Sequence, residues 1–154
     1  MDYKISIERT KHSRLAEVDF NNIPFGKVFA DHMFVADFDG KQWNNFSIRP
    51  LERLPFHPAT MAWHYGQAIF EGMKASVSTE GIPLLFRPED HARRFNTSAQ
   101  RMCMPAFPTD LFVEALSRLV WLDRDWIPRN EESALYIRPV MMATDEFVGV
   151  RSSD

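Results

Sequence analysis

Between Lys27 and Phe38 the chain alternates. Val28, Ala30, His32, Phe34 and Ala36 share one phase, and Phe29, Asp31, Met33, Val35 and Asp37 the other, a period of two that predicts a strand. Asp39-Gly40 predicts the turn after it, and Asn44 to Leu51 the returning strand of a hairpin, its ladder interrupted at Pro50. Pro55 and Pro58 punctuate the next loop; Thr60 is placed to cap a short helix through Tyr65, which Gly66 stops. Alternation resumes from Ala68 to Thr79 and predicts a strand, Glu80-Gly81 a turn, and Pro83 to Arg87 a second strand. The period then lengthens. Pro88 at a first helical position, with Glu89 and Asp90 at the positive end of the helix dipole, predicts a helix whose inward face is Ala92, Phe95, Ala99 and Met102 and which ends before Pro105. A further helix, capped by Thr109 or Asp110, carries an apolar stripe of Phe112, Ala115, Leu116, Leu119 and Leu122 with Glu114, Arg118 and Arg124 off it. Ser133 to Thr144 returns to strand chemistry. Residues 1–24 are polar and mixed, an arm or irregular strand ending at Pro24, and from Glu146 the chain thins into a linker.

Helices and hairpins mixed without a βαβ rhythm predict an α+β domain rather than a doubly wound one, with an antiparallel-rich sheet and two main helices packed on it. At 154 residues one domain burying roughly 70% of its unfolded surface is expected. Thirteen Phe and four Trp argue against disorder. A net charge of -3 gives no footprint for nucleic acid or an anionic membrane, and no apolar run approaches the ~20 residues of a membrane span. The one cysteine, Cys103, leaves no partner for a disulfide or zinc cluster and suits a reducing, cytoplasmic setting. Residues 1–20 interleave acids and bases, so neither a signal nor a transit peptide is expected. The five histidines lack ligand spacing, and no metal site is expected.

Candidate chemistry concentrates in three runs: HYGQAIFEGMKA (His64 to Ala75), FRPEDHARRF (Phe86 to Phe95) and LYIRPV (Leu135 to Val140). Each joins aromatic to cationic groups. Taken alone, Arg93, Arg94 and Arg101 read as a solvated basic face, and single aromatics as core. Arg138, alternating with Ile137 in a strand that looks buried, needs a partner because an unpaired buried charge is very costly; an internal salt bridge would supply one. Val148, Gly149 and Val150 read as an apolar interruption in a linker.

Together with FGKVFADHM (Phe25 to Met33), RMCMP (Arg101 to Pro105) and LDRDWIP (Leu122 to Pro128), these runs closely resemble the N-terminal domain of branched-chain amino acid aminotransferases, pyridoxal-5′-phosphate enzymes of fold type IV. The spacing is similar to the group containing the eukaryotic members, and the resemblance covers roughly residues 22–150. It implies an arm over 1–21, a small domain over 22–145 and the start of an interdomain linker over 146–154, with the catalytic C-terminal domain absent. It implies amino-group transfer between leucine, isoleucine or valine and 2-oxoglutarate, by way of the matching 2-oxo acids and glutamate. Arg94 matches the family's arginine for the cofactor phosphate, a role suited to a planar guanidinium. Phe25, Tyr65, Phe70 and Tyr136 match the walls of the aliphatic substrate pocket, and Arg138 the group that receives the distal carboxylate of glutamate. Val148 and Val150 match a loop that reaches the other subunit's active site, which implies a homodimer. The chain has Lys4, Lys11, Lys27, Lys41 and Lys74, none in the context of the Schiff-base lysine, so the 154 residues are expected to be inactive alone. Alternatives are a non-catalytic dimerisation or regulatory domain, or another fold type IV enzyme such as a D-amino-acid aminotransferase or aminodeoxychorismate lyase. Tyr136-Ile137-Arg138-Pro139 and FEGMKA argue against the last two.

Overall fold

The computed structural model describes residues 3–130 and 133–153. Its first sheet is ordered β1-β3-β2, from β1 (Ser6–Ile7), β2 (His32–Phe38) and β3 (Trp43–Pro50). β2 and β3 form the antiparallel hairpin, and β1 lies parallel to β3. Asp39 makes the turn: its Oδ1 accepts the Gln42 and Lys41 N–H groups at 2.9 Å each, and its Oδ2 accepts from Asn44 Nδ2. Those bonds, led by the Gln42 amide, hold its carboxyl below the usual range. The strand expected from Lys27 begins only at His32. Arg14 Nη2 takes the Phe29 and Ala30 carbonyls at 3.2 and 2.9 Å, which draws them to a side chain rather than into a ladder. Pro50 does not interrupt the hairpin: it is the last residue of β3, opposite His32, and the Leu51 N–H still donates to the Asp31 carbonyl.

The single strand expected over Ala68 to Thr79 is two, β4 (Ala68–Phe70) and β5 (Met73–Val77), parted at Glu71-Gly72. The Ser133 to Thr144 stretch likewise holds β7 (Leu135–Ile137) and β8 (Val140–Met142), parted at Arg138-Pro139. β4 pairs with β8, while β5 pairs with both β6 (Pro83–Leu85) and β7, so the described residues form three small sheets in place of one. The two breaks meet, because the Glu71 N–H donates to the Pro139 carbonyl at 3.0 Å and Pro139 has no N–H with which to continue a ladder.

Helix α1 (Met61–Tyr65) follows Thr60 but is not capped by it; the Thr60 hydroxyl is buried without a partner, and Met61 and Ala62 donate instead to the Asp145 and Ala143 carbonyls. Gly66, at φ 68°, ends the helix. α2 (Pro88–Arg101) starts with Pro88 as its first helical residue. α3 (Thr109–Leu122) is preceded by Pro108, so neither Thr109 nor Asp110 is its cap. Ala92, Phe95 and Ala99 of α2 bury against Leu111, Phe112, Ala115 and Leu116 of α3 in one cluster with Ile48, Ile69, Met141 and Met73 from the three sheets. Each such large apolar side chain contributes roughly 1.5–3 kcal/mol, and together they fix the sheets on the helix pair.

Residues 3–18 are tied to this body. Tyr3 donates to Asp110 at 2.9 Å, and Thr10 N–H donates to His32 Nε2 at 2.9 Å. Since Nε2 accepts there, the proton of neutral His32 sits on Nδ1, 2.6 Å from Asp123 Oδ1, while the His32 backbone N–H donates to Asp123 Oδ2 at 3.0 Å. The two side chains are 6% and 4% exposed. Burial outweighs these bonds and raises the Asp123 carboxyl above its ordinary value. Asp31 goes the other way: burial acts to raise it, but donation from Ser13, the Arg14 amide and Trp126 prevails and lowers it.

Candidate active site

The paired chain breaks place four of the expected site residues together. Phe70 ends β4 with its ring exposed, because the inward phase of this stretch is Ile69, Glu71 and Met73. Arg138 lies over it, Cζ 4.4 Å from the ring centroid and 5.2 Å from that of Tyr136, within cation–π range of both. Arg138 Nη2 also donates to the Tyr136 hydroxyl at 3.0 Å. Phe25 meets the Tyr136 ring edge-on, centroids 5.5 Å apart. Arg138 is therefore exposed rather than buried, and its partners are two aromatic faces and a phenol instead of a carboxylate; the strand that would have buried it stops at Ile137. Gly72 makes the arrangement possible. A Cβ there would lie 2.2 Å from the Tyr136 hydroxyl oxygen.

Immediately behind Phe70 sits a carboxylate. Glu71, its side chain 7% exposed, accepts Arg94 Nε at 2.8 Å on Oε1 and Arg94 Nη2 at 2.7 Å on Oε2, with a further Nη2 contact to Oε1. His91 Nδ1 lies 3.1 Å from Oε2, and the Gly72 N–H donates to the same oxygen at 3.0 Å. Burial tends to raise this carboxyl, but the Arg94 and His91 hydrogen bonds, the Gly72 amide and the Arg94 charge hold it below the usual range. Among the described residues no acceptor engages Arg94 Nη1, and its side chain is 66% exposed. Arg93 is exposed and paired with Asp90.

Tyr65 is exposed at the end of α1, its ring near His64, and among the described residues no hydrogen bond or ring contact joins it to the Phe25–Tyr136 group. Val148 and Val150 are exposed, Val150 at 96%. Their stretch is held in place nonetheless: Glu146 bridges Thr60, Ser153 N–H donates to Gln67 Oε1, and Arg151 lies over the Phe147 ring at 4.5 Å. Glu71 and Gly72 join this candidate site, and although both stand in FEGMKA the sequence alone does not single them out. The phase of the alternation marks Glu71 as inward, and a carboxylate at an inward position requires a cation.

The surface so built is small, three aromatic rings against one guanidinium, on an α+β scaffold of three short sheets and few helices. No family model matches the chain. It is 45% identical over 150 residues to branched-chain-amino-acid aminotransferase 2 of Bacillus subtilis (97% of this chain, 41% of the relative). It is 42% identical over 149 residues to branched-chain-amino-acid transaminase 1 of the same organism (96% and 42%). The crystal structure of the Escherichia coli branched-chain amino acid aminotransferase aligns at a TM-score of 0.57 and 27% identity, over 68% of this chain and 33% of that one. The chain is a homologue of the branched-chain aminotransferases along nearly its whole length, and it spans about two fifths of the length of the curated relatives quoted. Among the described residues no helix is long and apolar enough to cross a membrane, and no group of three or more potential metal ligands is found.

Proposed function

We propose that this chain is the substrate-recognising part of a branched-chain aminotransferase, which moves an amino group between leucine, isoleucine or valine and 2-oxoglutarate. The observation that carries the reading is Arg138 lying over Phe70 and bonded to the Tyr136 hydroxyl. An apolar side chain covers aromatic surface there at roughly 25 cal/mol per Å². The distal carboxylate of 2-oxoglutarate takes the same place by accepting from the guanidinium and the phenol. One surface thus serves two unlike substrates in turn.

Pyridoxal 5′-phosphate, when bound, supplies the carbonyl and conjugated ring through which the amino group passes. Arg94 fits its phosphate: the fork to Glu71 uses Nε and Nη2 and leaves Nη1 for an anion. Phe25, Phe70 and Tyr136 exclude water from the aliphatic part of the substrate, and Arg138 orients its far end. Tyr65, which stands outside that group in the free chain, is assigned to the aliphatic wall by the resemblance alone. Val148 and Val150, outward-facing on a held segment, extend toward the site of a second copy in a homodimer. The amine that carries the cofactor lies outside these 154 residues, so the chain alone binds cofactor weakly and transfers nothing.

The test uses the longer protein that carries this chain, loaded with the cofactor. Glutamate formation from 2-oxoglutarate is followed with leucine, isoleucine, valine and D-alanine as donors. Turnover of the three branched-chain donors is expected; turnover of D-alanine alone, or of none, overturns the reading.

A further inference from the structure

We propose that Glu71 is a positioning residue: it holds the Arg94 guanidinium in the orientation from which it meets the cofactor phosphate, and it links that anchor to the substrate-facing surface through Gly72. The proposal rests on Arg94 being a phosphate ligand, as put forward above.

The asymmetry of the pair carries the argument. Glu71 is buried and receives hydrogen bonds from Arg94, His91 and the Gly72 amide, whereas Arg94 is largely exposed. An arginine in solvent samples many rotamers and must be ordered before it can present a fork to an anion. The carboxylate does that ordering in advance, and it is itself fixed from two directions. His91 and Arg94 stand one turn apart on α2, so both reach Glu71 from one helix face. From the other side Gly72, next in the chain, donates its N–H to Oε2, and the space where its Cβ would stand is taken by the Tyr136 hydroxyl. Phe70, Glu71 and Gly72 therefore act as one block: one residue lies beneath Arg138, the next orients Arg94, and the third admits Tyr136. The distance between the phosphate anchor and the substrate surface is set by three consecutive residues.

A competing effect has the opposite sign. A carboxylate against a guanidinium also neutralises it and weakens its attraction for phosphate. If neutralisation dominates, removing the Glu71 charge tightens phosphate binding; if positioning dominates, it loosens it.

The cofactor-free, full-length protein is titrated with pyridoxal 5′-phosphate and with phosphate-free pyridoxal, and the ratio of the two dissociation constants is the readout. Glu71→Gln is expected to lower the preference for the phosphorylated form by roughly three- to tenfold, the scale of ordering one rotamer-rich side chain. A merely structural role weakens both ligands equally and leaves the ratio unchanged, which overturns the proposal, as does a raised ratio. Arg94→Gln run alongside separates the two readings. If it lowers the preference while Glu71→Gln does not, the positioning role alone fails; if it has no effect, the phosphate role of Arg94 fails. Should Glu71→Gln not fold, Glu71→Asp keeps the charge but withdraws it by one methylene, and the same drop is expected; an unchanged ratio there overturns the proposal.

Discussion

Replacing Gly72 by alanine adds one methyl group at the point where the two halves of the site touch. The backbone at Gly72 is not in the left-handed region, so the consequence is one of space and not of strain. A Cβ there would stand 2.2 Å from the Tyr136 hydroxyl oxygen and 3.0 Å from Cζ, where ordinary contact begins at 3.4 Å. The hydroxyl must therefore retreat by about 1.2 Å. Tyr136 cannot move as a whole, because its backbone is registered against Lys74 in the β5–β7 ladder. The ring must tilt, and a displacement of that size disturbs the 3.0 Å bond from Arg138. Overpacking costs about 1–3 kcal/mol in a closed core; at this exposed ring the low end, about 1 kcal/mol, is expected from urea unfolding of the full-length protein. Losing an aligned hydrogen-bond partner for a charged group adds about 1 kcal/mol against the bound carboxylate, or roughly five- to tenfold in the KM for 2-oxoglutarate. Glu71 and Arg94 lie on the other side of the block, so affinity for pyridoxal 5′-phosphate should change less than twofold, well under the ~1.4 kcal/mol of a tenfold effect. Tyr136→Phe in the same chain removes the colliding oxygen and should restore most of the lost stability. A Gly72→Ala protein as stable as its parent, or a double variant no better than the single one, would refute the steric reasoning.

Arg138→Gln should raise the KM for 2-oxoglutarate by at least roughly tenfold, since charge-assisted hydrogen bonds are worth about 1.5–3 kcal/mol, while the KM for leucine moves far less; steady-state kinetics with each substrate varied in turn will show it. Asp123→Asn should cost about 1–3 kcal/mol in urea unfolding. With Thr10 N–H fixed on Nε2 and both Nδ1–H and the backbone N–H of His32 aimed at the Asp123 carboxylate, an amide leaves two donors facing each other whichever way it flips. Acid should erode the Glu71 contribution: its carboxyl is held below the ordinary glutamate range in the folded chain, so the stability it adds is full above that ordinary range and lost as pH falls through the lowered pKa. The stability gap between the parent and Glu71→Gln should then be wide at neutral pH and narrow progressively as acid protonates the carboxyl, read from urea midpoints. Asp123, raised by burial, has the opposite sign, and its contribution falls as pH rises through the raised pKa.

Which of these residues a reader of the sequence could find depends on how local the governing interaction is. Pro88 with Glu89 and Asp90 behind it starts α2 where expected, because a helix start is decided within one turn. The first strand misleads over Lys27 to Asp31 because its carbonyls are drawn off by Arg14, more than ten residues earlier in the chain. The single strand read over 68–79 fails at Glu71 because the event that divides it, the bond to the Pro139 carbonyl, spans 68 residues. The expectation of a buried Arg138 fails for the same reason: alternation shows a phase but not the residue at which a chain leaves one sheet for the next. Motif order succeeds where periodicity stops, since FEGMKA and LYIRPV meet at those two breaks. FADHM and LDRDWIP also meet, but through His32–Asp123 and Asp31–Trp126, a buried junction that fixes the body of the domain. Motifs kept in order along the chain can therefore mark segments that touch, and only the chemistry at the contact separates recognition from support. Exposed aromatic faces under a guanidinium mark the first case. A buried imidazole whose two nitrogens are already engaged, by Thr10 and by Asp123, marks the second.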